Sequence, residues 1–277
     1  MQSFFLLGCE DDRAVANNNG RIGAAKGPEI FQHFFKKTKS RGKWPEVLAE
    51  LNLISPEKDI ASTHIKVATE LSRGHQKSPY SIFIGGGHDY AYPHLSGVKN
   101  SISGELGCIN IDPHFDLRKP SPEILSGSPF YMAIEKGVIK GENLVEFGIG
   151  EHCNGQELWD YAEAKNIEVH TFPELRQANK VLQFNKVLKA LSKRVDKIVL
   201  SIDLDAIQAA YAPGVSAPAA EGFTPSEVLQ MTAIAASEEK VLSLGIYELN
   251  PKYDIDDRTA RLAALLAFEF IKTKDRY

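Results

Sequence analysis

Three short segments of the chain, far apart in sequence, each place acidic or imidazole side chains directly after an apolar run. The apolar runs, at 81–84, 107–111 and 197–202, have the length and composition of buried strands in a parallel sheet. Because ligands collect beyond the carboxyl ends of such strands, the pattern predicts an α/β fold in which the three segments meet in one crevice. The segments are Gly86-Gly87-His88, Asp112-Pro113-His114-Phe115-Asp116 and Asp203-Leu204-Asp205.

Together these segments supply four carboxylates and two imidazoles. In extended backbone every second side chain points the same way, so Asp112, His114 and Asp116 are expected to share one side of the chain. The same holds for Asp203 and Asp205. Four carboxylates without a cation would repel one another, whereas two divalent ions would balance their charge. A single Asp or His at a strand end is usually a loop cap, but the joint pattern predicts a binuclear metal centre.

Composition sets limits on the class of protein. With 277 residues, 43% of them hydrophobic, the chain is expected to form one large domain over residues 1–277. A net charge of −4 argues against a nucleic-acid surface, and the basic run at 36–43 is expected to be the solvated end of a helix. No apolar run approaches the ~18 residues that a membrane span needs, so no membrane partner is expected.

The cysteines and the N-terminal segment favour a cytoplasmic protein. Cys9, Cys108 and Cys153 are odd in number and scattered, which fits neither a disulfide framework nor a zinc motif. Met1-Gln2-Ser3-Phe4-Phe5-Leu6-Leu7-Gly8 lacks the basic start of a signal peptide. We expect it to be the first strand.

Further apolar runs at 144–149, 167–170 and 241–247 predict strands that alternate with helical patterns, as in a parallel sheet with helices on both faces. Helices are predicted at 224–237, where Thr224 opens a capping box, and at 257–272. Pro28 indicates another helix start.

Two long segments, 11–23 and 205–222, lack periodicity. Long irregular segments in a compact domain are often functional. The second leaves the predicted metal centre directly, and we expect it to form a wall of the pocket.

The three motifs resemble those of the arginase, or ureohydrolase, superfamily: Gly-Gly-x-His, Asp-x-His-x-Asp and Ser-x-Asp-x-Asp, the last matched by residues 201–205. The resemblance spans 18–266 and implies a three-layer α/β/α fold around a mostly parallel sheet of about eight strands. It also implies two Mn²⁺ per subunit and a homo-oligomer, a trimer or hexamer. Oxygen and imidazole ligands suit manganese, although these ligand types leave zinc, iron, nickel and cobalt open. The implied ligands are His88 with Asp116, His114 with Asp205, and Asp112 with Asp203 as bridges.

Within the superfamily the chain is similar to the formimidoylglutamases. The similar segments are 18–24, 114–118, 126–130, 215–219 and 256–260. Arginases carry a histidine in the segment that corresponds to 126–130, and this chain has none. Three departures are Asn17 where Arg is common, Pro113 where Ala is usual, and Asp89-Tyr90 where Glu-Val is more familiar.

The implied reaction is hydrolysis of N-formimidoyl-L-glutamate to L-glutamate and formamide, with a nucleophilic water activated by the two ions. Since the metal centre keeps a net negative charge, a cationic amidine is favoured as substrate. Glu248 would hold the substrate's cationic nitrogens, and Asp116 could also pass a proton to the leaving amine. The remaining candidates for contacts with the substrate are Asn18, Arg21, Arg118, Ser128, His152 and Arg258.

Two other functions stay open. The first is a ureohydrolase acting on arginine, agmatine or a guanidino acid, because the metal motifs carry no information on the loops that select among such substrates. The second is a metal-binding regulatory homologue without turnover. The filled ligand positions and Glu248 argue against the second.

Overall fold

The computed structural model describes residues 2–40 and 51–276. In these ranges one sheet has the order β2-β1-β3-β8-β7-β4-β5-β6, with every neighbouring pair parallel. The predicted fold class is thereby confirmed. The strands are β1 (Phe4–Cys9), β2 (Asn52–Ile54), β3 (Tyr80–Ile84), β4 (Leu106–Ile111), β5 (Leu144–Ile149), β6 (Glu168–Thr171), β7 (Lys197–Asp203) and β8 (Val241–Tyr247).

The sheet is covered by helices on both faces. Successive strand residues enter opposite layers of the core: Phe4 of β1 packs on one face and Phe5 on the other, as the period of two requires. Helices α2, α8, α9 and α10 cover the first face, and α3 to α6 cover the second. The α-helices are α1 (Arg13–Asn17), α2 (Gly27–Phe35), α3 (Ile60–His75), α4 (Ala91–Lys99), α5 (Pro129–Glu135), α6 (Gln156–Ala164), α7 (Phe172–Arg176), α8 (Lys180–Ser192), α9 (Pro225–Ser237) and α10 (Arg258–Lys274).

Local signals account for several helix ends. The Thr224 side chain accepts a hydrogen bond from Glu227 N–H and the Glu227 side chain accepts one from Thr224 N–H, so the predicted capping box starts α9. Helix α10 begins at Arg258, within one residue of its predicted start. The basic run follows the end of α2 at Phe35, but its part from residue 41 onwards lies outside the described residues.

The two segments predicted to be irregular behave differently. Residues 11–23 contain the short helix α1, which is too brief to give a periodic pattern. Residues 205–222 remain largely irregular, with isolated bridges between Ile207 and Phe223 and between Gln208 and Ala219. None of the helices in the described ranges combines the length and apolar composition needed to cross a bilayer.

Candidate metal centre

Four neighbouring strands in the middle of the sheet, β3, β8, β7 and β4, end at the same edge. His88 follows β3, Glu248 follows β8, Asp203 ends β7 and Asp112 follows β4. All four side chains are at least 97% buried. The parallel register therefore brings acidic and imidazole groups from four separate segments to one point. The sequence pattern predicts this for the segments of His88, Asp112 and Asp203.

The ring nitrogen Nδ1 of His88 faces three carboxylates. It lies 3.0 Å from Asp112 Oδ2, 2.8 Å from Asp116 Oδ2 and 3.2 Å from Asp203 Oδ2, and the four ligand atoms lie within 4.8 Å of one another. Despite these distances, Nδ1 has no hydrogen bond of acceptable geometry among the described residues. Ligand atoms at right angles around an ion bound at about 2.1 Å lie about 3.0 Å apart. The arrangement thus fits a divalent cation better than a set of hydrogen bonds.

The second ring nitrogen of His88 has a partner. Nε2 lies 3.0 Å from the hydroxyl of Ser201, which is on β7. A metal-binding histidine is usually oriented by a hydrogen bond at its other nitrogen. Ser201 therefore leaves Nδ1 directed at the carboxylates.

Asp112 faces an imidazole with each of its oxygens. Oδ2 lies beside His88, and Oδ1 lies 3.3 Å from His114 Nδ1. A carboxylate in this position can place one oxygen on each of two ions. This arrangement agrees with the bridging role that the motif resemblance implies for Asp112.

The backbone around these ligands is turned rather than extended. Asp112 Oδ1 accepts the backbone N–H of His114 at 2.8 Å, and Asp203 Oδ1 accepts that of Asp205 at 2.7 Å. Asp116 has a φ of 50°, in the left-handed region. The expectation that alternate residues share a side because the backbone is extended is therefore wrong, since Asp side chains compete for nearby N–H groups and turn the chain.

The charged groups of the cluster shift one another's pKa values. Burial lowers the pKa of His88, but its carboxylate neighbours Asp112, Asp116 and Asp203 outweigh this effect and raise it well above its usual value. Burial and the charge of Asp112 raise the pKa of Asp203 to about 6, and burial with the charge of Asp203 raises that of Asp205 well above normal. Carboxyl groups in this state gain most from a bound cation.

Glu248 lies beside the cluster with both oxygens held. Oε1 accepts the backbone N–H of His88 at 2.7 Å, and Oε2 accepts a short hydrogen bond from the hydroxyl of Ser216. The residue has a φ of 63°. Burial, together with the charge of Asp203, raises the pKa of Glu248 well above its usual value.

A cavity of 270 Å³ is lined by Glu248 and by four of the proposed metal ligands. Asn18 and Arg118, two of the predicted contacts with a substrate, line it together. Arg118 Nη1 donates to Asn18 Oδ1 at 3.0 Å, and Asn18 Nδ2 donates to Ser126 Oγ at 2.9 Å. Both segments predicted to be irregular contribute to the lining. The lining residues are Val15, Asn18, Asn19, Gly20, Arg21, His114, Asp116, Arg118, Ser126, Asp203, Asp205, Ser216, Ala217 and Glu248.

The other predicted contact residues are placed differently. Arg21 lines the cavity, but its guanidinium donates to Val215 O at 2.5 Å and stacks 4.2 Å over the ring of Tyr253, so it holds the pocket wall. His152 is exposed and lines a neighbouring cavity of 510 Å³ that shares His114 and Ala217 with the first.

Two of the candidates lie away from the cavity lining. Ser128 is fully buried at the start of α5, and its hydroxyl has no partner among the described residues. Arg258 is exposed, and its Nε donates to Ile255 O at 3.0 Å.

Four further polar residues of the site do not appear among the sequence-predicted contacts. Ser201 and Ser216 lie inside the motif segments 201–205 and 215–219. A hydroxyl group within a motif is the sequence signal that indicates a residue of the site. Asn110 and Glu146 lie inside apolar strand runs and are completely buried. A polar residue within a run predicted to be buried is the signal that would have found them.

Comparisons with known proteins identify the family of the chain. A model of the arginase family matches residues 3–272. The formimidoylglutamase of Staphylococcus carnosus (strain TM300) is 33% identical over 270 residues, which are 96% of this chain and 85% of that protein. The formimidoylglutamase of Staphylococcus aureus (strain MRSA252) is 33% identical over 268 residues, which are 96% of this chain and 85% of that protein.

Solved structures of similar proteins have the same fold as this chain. The formiminoglutamase of Trypanosoma cruzi with Mn²⁺₂ has a TM-score of 0.86 and 25% identity, covering 98% of this chain and 93% of that one. The formimidoylglutamase of Bacillus subtilis subsp. subtilis str. 168 has a TM-score of 0.89 at 22% identity, covering 99% and 87%, which supports the fold. The resemblance predicted from the motifs is thereby confirmed, and the chain belongs to the arginase family.

Proposed function

We propose that the chain is a binuclear manganese hydrolase that cleaves the C–N bond of a linear amidine, N-formimidoyl-L-glutamate, to give L-glutamate and formamide. The observation that carries the proposal is the buried Glu248 carboxylate, which shares one cavity with the carboxylates of Asp203 and Asp205. The names of the similar proteins support the substrate, and the manganese in the Trypanosoma cruzi structure supports the metal.

The proposed ligands would hold two ions in two groups, with Asp112 and Asp203 common to both. His88 and Asp116 lie on one side of Asp112, and His114 lies on the other. Asp205 completes the second group. When bound, two divalent ions lower the pKa of a water molecule and supply a nucleophile at neutral pH.

The substrate's amidine is planar and cationic, and Glu248 is the group that we assign to it. Both Glu248 oxygens are fixed, by the N–H of His88 and by Ser216, so the carboxylate is preorganised for a cation. Water adds to the amidine carbon, the bond to the glutamate nitrogen breaks, and that nitrogen must gain a proton. Asp116 lines the cavity and is the group proposed to carry the proton to it.

The glutamate end of the substrate needs donors for its carboxylates. Arg118 lines the cavity, and one of its nitrogens is fixed by Asn18. A guanidinium held in this way suits a carboxylate. Arg21, His152, Ser128 and Arg258 stay predictions as contacts, with Arg21 engaged by backbone carbonyls of the wall.

The decisive experiment measures hydrolysis by manganese-loaded protein of formimidoylglutamate, arginine, agmatine and guanidinobutyrate in parallel, scoring formamide and urea. Formamide from formimidoylglutamate alone, lost in Asp205→Ala, is the expected result. Urea from a guanidino compound would assign a ureohydrolase. No product from any of the four, with manganese bound, would favour the regulatory homologue.

The proposed organisation is one arginase-like domain in a cytoplasmic homo-oligomer, a trimer or hexamer. Three free cysteines support the compartment, and family resemblance alone supports the assembly. Sedimentation equilibrium measures the assembly directly, and a monomer at micromolar concentration would contradict it.

A further inference from the structure

Glu146 is a buried carboxyl group inside the sheet, beneath the metal centre. It lies on β5 and pairs in register with Asn110 of β4, two residues before Asp112. Its side chain is completely buried, as is that of Asn110. A carboxyl group in such a place needs either a cation or a proton.

One hydrogen bond joins Glu146 and Asn110, and one oxygen of each side chain has no donor among the described residues. Asn110 Nδ2 donates to Glu146 Oε2 at 2.9 Å. Glu146 Oε1 and Asn110 Oδ1 have no donor among the described residues. If Glu146 were ionised, both oxygens would be buried acceptors without a donor, which is unfavourable because neither regains the hydrogen bonds that it makes to water in the unfolded chain.

A proton on Oε1 of Glu146 would place both of these oxygens in a hydrogen bond. A carboxylic acid donates with one oxygen and accepts with the other, and a primary amide does the same. The acid and the amide can therefore form a cyclic pair with two hydrogen bonds. In that pair the Oε1 hydroxyl of Glu146 supplies the donor that Asn110 Oδ1 lacks.

Asn110 then connects this acid to the metal centre. Its Nδ2 carries two hydrogens, and besides Glu146 it lies 3.4 Å from Oδ2 of Asp112. That oxygen is the one beside His88 Nδ1. Glu146 thus fixes the orientation of the Asn110 amide, and this orientation directs the second N–H of Asn110 towards Asp112, the proposed bridging ligand.

We propose that Glu146 is a permanently neutral carboxylic acid and a positioning residue, which acts through Asn110 to hold Asp112 for metal binding. The electrostatic setting agrees, because burial and then the charges of Asp112 and Asp116 raise the pKa of Glu146 well above its usual value, against the opposing effect of Asn110. The metal-binding part of the inference rests on the proposed function, whereas the protonation of Glu146 does not.

The test compares Glu146→Gln with Glu146→Leu. Glutamine has the shape of the neutral acid, accepts from Asn110 Nδ2 and donates to Asn110 Oδ1, so it should rescue manganese affinity to within about threefold of wild type. Leucine leaves the Asn110 amide unanchored, and loss of such a supporting contact typically weakens metal binding by about 10–100-fold. Affinity is measured by titrating metal-free protein with Mn²⁺ in a calorimeter.

A matched control separates positioning from general stability. Leu144→Ala, on the same strand and completely buried, should lower the melting temperature without changing manganese affinity. Asn110→Leu should weaken manganese binding to the same degree as Glu146→Leu. Equal losses of affinity in Glu146→Gln and Glu146→Leu would overturn the proposal, because the negative charge would then be what matters. Unchanged affinity in Glu146→Leu would overturn it too.

Infrared spectroscopy tests the protonation independently. In metal-free protein above neutral pH, the spectrum of wild type should contain a carbonyl band of a protonated carboxyl that the spectrum of Glu146→Gln lacks, whatever bands other buried carboxyl groups give in both proteins. The absence of this band from wild type would refute the neutral acid. If wild type bound no manganese while the band was present, the proposed function and the positioning role would fail but the protonation of Glu146 would stand.

Discussion

Glu248 Oε1 accepts a 2.7 Å hydrogen bond from the backbone N–H of His88, which joins the ends of the neighbouring strands β8 and β3. The backbone N–H of Glu248 in turn donates to Gly86 O at 2.9 Å. The carboxylate proposed to hold the substrate and the first proposed metal ligand therefore belong to one hydrogen-bonded unit. Their relative position is fixed by the sheet rather than by a flexible loop.

We expect Glu248→Gln to lower kcat/KM by about 100-fold. An ionised hydrogen-bond partner is worth about 1.5–3 kcal/mol, and glutamine keeps the shape while losing the charge that attracts the amidine. Manganese content should stay at the wild-type value, as measured by metal analysis after gel filtration. The matched control is Glu70→Gln, whose carboxylate forms a surface ion pair with Arg73. A Glu248→Gln variant with wild-type kcat/KM would refute the role.

Ser216→Ala tests the other anchor of the same carboxylate. The hydroxyl of Ser216 donates to Glu248 Oε2, and removing it leaves that oxygen free to turn. We expect about a tenfold loss of kcat/KM, corresponding to one net hydrogen bond of about 1.4 kcal/mol. Steady-state kinetics on both variants and on the double variant checks the coupling, because the two losses should not add if both act through one carboxylate.

Much of the fold could be predicted because the strands are buried on both faces. β5 and β8 have the predicted bounds, since a predominantly apolar run of six or seven residues gives a clear signal. Helix α1 could not be predicted, because five residues are too few to display a period of 3.6. Its residues nevertheless precede Asn18, which lines the cavity.

The sequence predicts which residues form the site but not their detailed geometry. The ligands on separate strands can be predicted because neighbouring parallel strands end at one edge of the sheet. The local geometry depends instead on hydrogen bonds between side chain and backbone, such as that from Asp205 N–H to Asp203 Oδ1, which a spacing pattern does not reveal. The position of Glu146 in an apolar run predicts a strand, and this pattern alone does not assign its carboxyl group to the site.

The two proposed ion positions can be separated by Asp205→Asn. Asp205 accepts the N–H of Ala217 at 3.1 Å through Oδ2 and 3.2 Å through Oδ1, and asparagine keeps an oxygen there, so the loop should hold. The variant should bind one ion for every two in wild type. Since a ligand at 100 times its Kd stabilises a protein by about 2.7 kcal/mol, added manganese should also raise the melting temperature less. Metal analysis and calorimetry decide this, and an unchanged ion count would contradict the assignment of Asp205.

A buried chain of hydrogen bonds runs beneath the other side of the site. His94 Nδ1 lies 2.7 Å from the Tyr247 hydroxyl, and Nε2 lies 2.6 Å from Ser243 Oγ. The hydroxyl of Ser243 lies 2.5 Å from that of Ser81. The ring of Tyr247 packs 4.7 Å from that of His88, centroid to centroid, so the chain supports the metal ligand from below.

This chain predicts a pH dependence of stability. Burial, with a smaller effect of His75, lowers the pKa of His94 from 6.5 to about 3, so the folded protein keeps the imidazole neutral while the unfolded chain binds a proton below pH 6.5. The unfolded state then binds more protons, and stability falls as the pH falls from 6.5 towards 3. Between pH 7 and pH 5 the contribution of His94 is about 2 kcal/mol. Urea unfolding of the metal-free proteins measures this effect. Between pH 7 and pH 5 the free energy of unfolding of His94→Gln should fall by about 2 kcal/mol less than that of wild type, because glutamine does not titrate. Equal losses in the two proteins would show that His94 is protonated in the folded state or that the chain opens before it titrates.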